Sequence, residues 1–161
     1  MDGWENFFLG QVGASAALGG LLFVAASLNL ERILSAAALP DRFLVALSLI
    51  LAILVISSLM LIPDQPQVLV GFEALAVGAV LTGLVIRTSR NPAADEASGS
   101  RAKSTANAIL SALAVLPYIA GGAFIVAGGL RTGLYLVAAA IILSFIKAVL
   151  DAWVLLVEIN R

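Results

Sequence analysis

Hydropathy along the chain falls into five long apolar runs separated by polar breaks, and each run is long enough to cross a lipid bilayer as an α-helix. A spanning helix needs about 20 mainly apolar residues. The runs predict helices over residues 7–28, 43–62, 68–86, 106–130 and 133–157. The second is the plainest, uncharged between Arg42 and Pro63, and its Ser48, Ser57 and Ser58 are hydroxyls that can bond back to their own helix. The first is dense in small residues, Gly10, Gly13, Ala16, Ala17, Gly19 and Gly20, which let helix backbones approach closely in lipid.

The breaks are informative in turn. From Asn29 to Leu39 the chain is amphipathic, either an extension of the first helix or an elbow lying in the interface, and Pro40 marks the start of the next helix. Pro63 to Gln67 holds two prolines and makes a tight connection. Arg87 to Thr105 is rich in Ser, Ala and charge, with Asn91-Pro92 as a breaker, and reads as a flexible extramembrane loop. Pro117 falls mid-helix, where it removes a hydrogen bond and crowds the carbonyl of Leu113. With Tyr118, whose hydroxyl should find a partner at that depth, it forms a kink or gate.

Composition turns this pattern into a class. The chain is 61 % hydrophobic and 12 % charged, against about 45–50 % and about 25 % in soluble domains, and its mean hydropathy is +1.08. The expected architecture is an all-α integral membrane protein, a single five-helix bundle spanning residues 1–161. A net charge of −1 gives no basic field for nucleic acid. The chain has no Cys and no His, so disulfides, thiol chemistry and imidazole ligation are excluded, and neither a metal site nor a cofactor is expected. Acidic residues in MDGWENFF favour a retained first span over a cleaved signal.

Lys and Arg placement predicts orientation. Arg32, Arg42, Arg87, Arg90, Arg101, Lys103 and Arg161 fall on one side and only Arg131 on the other. The N-terminus is therefore expected outside and the long loop and C-terminus in the cytoplasm, most simply across the plasma membrane. Trp4 and Trp153 would be belt anchors at opposite faces.

Lys147 and Asp151 lie one helical turn apart in an otherwise apolar run, and an ionisable pair at membrane depth marks a functional-site hypothesis. Asn29, Glu31 and Arg32 at the end of the first span, and Asn107 at the start of the fourth, fall at the same inner level. Glu73 sits about 8 Å inside the opposite edge, at 1.5 Å per residue. The pair either snorkels to the headgroups or lines a wet vestibule in which Asp151 and Glu31 draw cations, Lys147 sets a barrier and Glu73 rings the outer mouth. Five short helices hardly enclose a pore, so a homo-oligomeric cation channel is the expectation.

A carrier is suggested by GGLLFVAASL from Gly19 and GGAFIVAGGL from Gly121, which agree at five positions in oppositely running helices. The alternative is a non-catalytic accessory subunit that packs against a larger membrane complex through its glycine faces. An enzyme is the least supported class, because no nucleophile sits beside a base.

Overall fold

The computed structural model describes residues 3–35, 39–90 and 101–159, and every secondary-structure element among them is helical. In chain order these are α1 (Glu5–Leu28), α2 (Leu30–Ser35), α3 (Leu39–Leu59), α4 (Gln67–Ser89), α5 (Arg101–Val126) and α6 (Leu130–Ile159). Five of them, all but α2, are long and apolar enough to cross a membrane. Most of the expected helix ends shift by a few residues, furthest around the long polar break after α4. The 87–105 segment is helical at both described ends, as α4 runs on to Ser89 and α5 begins at Arg101, while residues 91–100 lie outside the described residues.

The helices do not contribute equally. α3, α4, α5 and α6 close a ring in which each packs on the next, and α5 has the most extensive interfaces, with α4 and α6. α1 is appended to the outside of α3 and is the least covered of the five long helices. Its start is pinned to α6 by an aromatic cluster, with Trp4 and Tyr135 ring centroids 5.1 Å apart.

Two short turns lie at one end of the bundle, here the turn end. Met60 to Pro66 joins α3 to α4, with Asp64 at φ 55°. The α5–α6 turn is a Schellman motif: the N–H of Gly128, at φ 95°, donates to Ile125 O at 3.1 Å and that of Gly129 to Phe124 O at 2.8 Å. Gln67 Nε2 donates to Ile125 O at 2.8 Å and ties α4 to the same place.

Glycines let the ring helices approach. A Cβ at Gly122 would stand 2.7 Å from Gly71 O and 2.8 Å from Leu75 N, and one at Gly121 would stand 2.9 Å from Gly133 O. Neither leaves room for a side chain.

At the opposite, basic end, Asn29 breaks the first helix. Its φ of −123° leaves the helical range, its N–H turns back to Ala26 O at 3.1 Å, and α2 follows as a separate elbow with Ile33 buried. Ile33, Ala26, Leu39 and Leu155 form a small second core there. The elbow reading of Asn29 to Leu39 therefore replaces the extension, within the described residues 30–35. Pro117 lies inside α5, whose helical assignment runs on through it. Ser58 Oγ bonds back to Leu54 O at 2.8 Å, whereas Ser57 Oγ is buried without a hydrogen-bond partner, contrary to expectation.

Candidate functional site

The face that α6 turns into the ring follows heptad spacing. Gly133, Val137, Ala140, Ser144, Lys147 and Asp151 are all buried, at alternating steps of four and three, as in left-handed helix packing. The stripe is small and apolar toward the turn end and polar toward the basic end. Ser144 Oγ donates to Ala114 O on α5 at 3.2 Å. Lys147 Nζ donates to Asp151 Oδ2, with the two residues only 3 % and 6 % exposed. The i,i+4 spacing allows that bond to close within one helix.

Both charged groups are therefore inside the protein, which removes the snorkelling arrangement and leaves an ion pair in a low-dielectric setting. Arg42, at the start of α3, is near enough for its charge to act on Asp151. Sequence reading left Arg42 and Ser144 out of the cluster. Ser144 was findable from its heptad step to Lys147, and Arg42 only once α3 is known to lie against α6.

The remaining members of the expected inner cluster separate from the pair. Glu31 and Arg32 are exposed on α2 and line a cavity of about 700 Å³ with Ser27 and Asn29. Asn29 Nδ2 donates to Ala25 O at 2.9 Å, a local bond within its own helix end. Asn107 is exposed on α5. The single polar constellation thus resolves into a buried pair and a separate surface group, because the rotation of each helix, which a depth argument omits, decides which way a residue faces.

Tyr118 on α5 is fully buried, and Ser144 on α6 is the polar side chain that its hydroxyl approaches, without a well-aligned hydrogen bond between them. The polar neighbour expected for it is thus contributed by α6. Pro117 beside it is half-buried.

Glu73 belongs to a different place. It lies at one end of a cavity of about 770 Å³ between α3 and α4, walled by Leu51, Val55, Val77 and Val80 and bounded at the other end by Arg87. Gln65, from the proline-rich turn, donates from Nε2 to Glu73 Oε1 at 3.0 Å, while Glu73 Oε2 and Gln65 Oε1 are buried with no partner. Gln65 went unnoticed in the sequence because a Pro-Asp-Gln-Pro segment reads as a connection and carries no periodicity. Trp153 is 66 % exposed, whereas Trp4 is half-buried against Phe7, Phe8 and Tyr135.

Among the described residues no three acidic side chains converge as metal ligands. The described residues form an all-helical protein whose five long apolar helices are consistent with a multi-pass membrane protein, and which holds a buried ion pair. No family model matches the chain, and no curated protein or solved structure matches it.

Proposed function

We propose that the protein is a non-catalytic membrane assembly subunit, oriented with its N-terminus outside, that associates with a second copy of itself through the free face of α1. The observation that carries this reading is the two-sidedness of α1. Phe8, Ser15, Leu22 and Ala26 are buried, the side on which the helix packs against α3. Gly10, Gly13, Ala17, Gly20, Val24 and Ser27 are all exposed, and they too follow the three-four heptad step. At 100° per residue Gly10 lies about 200° around from Phe8, so this second stripe is on the opposite side. A Cβ at Gly10, Gly13 or Gly20 would meet nothing within 4 Å. A bare heptad that is Gly, Ala or Ser at every position but Val24 suits close helix–helix approach in lipid, and a stripe that meets its own copy is the simplest self-complementary interface.

The absence of native cysteine makes the test clean. Gly13→Cys and Gly20→Cys should each give disulfide-linked dimers in oxidised membranes, while Ser15→Cys, on the covered face, should not. Monomer from all three, or equal cross-linking at Ser15, overturns the reading. Cross-linking of the α1 cysteines to a different chain would replace the second copy by a larger complex.

Ion movement is the second reading, supported by the polar stripe inside the four-helix ring: Ser144, Lys147 and Asp151, with the buried hydroxyl of Tyr118 beside Ser144. On this reading Lys147→Met changes proton or cation flux into liposomes. Unchanged background flux in wild type and variant alike removes it and leaves the pair as a fastening between helices.

A further inference from the structure

The two sides that α4 turns to its neighbours are built differently. Against α5 it presents Gly71 and Gly78, where a Cβ would stand 2.6 Å from the Val126 side chain and 2.7 Å from that of Ile119, so the two helices are in closest contact there. Toward α3 it presents Glu73, Val77, Val80, Leu84 and Arg87, at steps of four and three along one face. No tight packing follows on that side. The α3–α4 contact is the thinnest in the ring, and a Cβ at Gly83 would meet nothing within 4 Å. The result is the groove of about 770 Å³, whose rim residues Leu51, Val55 and Val80 are exposed.

A space of that size does not stay empty, since packed proteins hold few voids larger than a water molecule. Its walls between the two ends are almost wholly apolar, which gives water few partners and suits a hydrocarbon. The two ends differ in charge. Arg87 closes one, with Arg90 a turn further along α4, while Glu73 closes the other beside the turn that carries Asp64. Arg87 is exposed and, among the described residues, has no ion-pair partner. A guanidinium binds phosphate through paired hydrogen bonds, and the acidic end repels it, so an amphiphile can lie in the groove in only one direction. The fourteen residues from Glu73 to Arg87 span about 21 Å, more than half of a hydrocarbon core of about 30 Å, which is room for one lipid tail.

We propose that the α3–α4 groove binds one anionic phospholipid from the leaflet at the basic end, its phosphate held by Arg87 and one acyl chain laid between Val55 and Val80 toward Glu73. The inference rests on the membrane reading of the five helices and is independent of pairing through α1.

Native mass spectrometry of the full-length protein in detergent, supplied with equal phosphatidylglycerol and phosphatidylcholine of the same chain length, tests it. Wild type should retain one phospholipid per chain and favour phosphatidylglycerol. Arg87→Gln should cut that preference about fivefold, the effect of one basic side chain at a charged lipid surface, while Arg131→Gln at the opposite end leaves it unchanged. Gly83→Leu and Val55→Trp put side chains into the groove from its two walls, and each should abolish retention with the unfolding temperature preserved. A wild type that keeps no phospholipid, a lipid that survives both filling variants, or a preference that follows Arg131 instead of Arg87 overturns the proposal. Release of the protein from membranes by alkaline carbonate is a separate failure: it would remove the membrane reading and this site with it.

Discussion

α1 and α5 carry nearly the same phrase, Gly-Gly followed by Val, Ala and Leu at matching places, yet the fold uses the two phrases in opposite ways. Gly121 and Gly122 are clamped between α6 and α4, with backbone atoms of both neighbours where a side chain would go. A Cβ at Gly19 would meet only Ile50, at an ordinary 3.4 Å, and one at Gly20 would face open space. Both phrases permit close approach; only one has been taken up within the chain. Glycines bring α4, α5 and α6 together within the ring, while exposed glycines of the appended helix are the ones proposed to meet an outside partner.

The comparison is broken most forcefully at the ion pair. Asp151→Leu strands a buried Lys147, and the ring should lose about 3–5 kcal/mol, read by thermal or denaturant unfolding in detergent. Lys147→Met combined with Asp151→Leu should recover most of that loss, since two matched apolar side chains often replace a buried pair without penalty. An Asp151→Leu variant as stable as wild type would show that water reaches the site.

Gly122→Ala comes next, at about 1–3 kcal/mol, because α4 must move off α5 to admit the methyl group. Ser144→Ala should cost about 0.5–1.5 kcal/mol through its lost bond to Ala114. Gly20→Leu sharpens the contrast at the bottom of the scale. Monomer stability should stay within about 0.5 kcal/mol, as for other surface changes, while dimer cross-linking through Gly13→Cys disappears. A loss of monomer stability in Gly20→Leu comparable to Gly122→Ala would erase the distinction between the two helices.

The five long helices were legible because runs such as 43–62 are apolar and bounded by Arg42 and Pro63, and the structure displaces most of their ends by only a few residues. Which helix meets which was not. In a soluble protein the buried face differs in polarity from the exposed one, but lipid is as apolar as a helix interface, so the periodic signal that orients a helix is weak here. α1 shows the effect: Leu21 and Phe23 are exposed and Leu22 is buried, with nothing in their side chains to distinguish them. The bond between Lys147 and Asp151 could be read from spacing, but its enclosure depends on the rotation of α6 and on α3 lying across it. The Glu73–Gln65 contact needs the Met60 to Pro66 turn to fold back over α4, which no local pattern announces.

The glycine-stapled corner between α5 and α6 also bears on biogenesis. A helix bearing a lysine and an aspartate is a poor candidate to leave the translocon on its own, since its charges would meet acyl chains before they met protein. With only Ala127 to Gly129 between the two helices, and the corner fixed by its own backbone, α5 and α6 form a hairpin that would let the two enter a bilayer together. One flank of the polar stripe is covered by its chain neighbour α5 and the other by α3, which precedes both in the sequence.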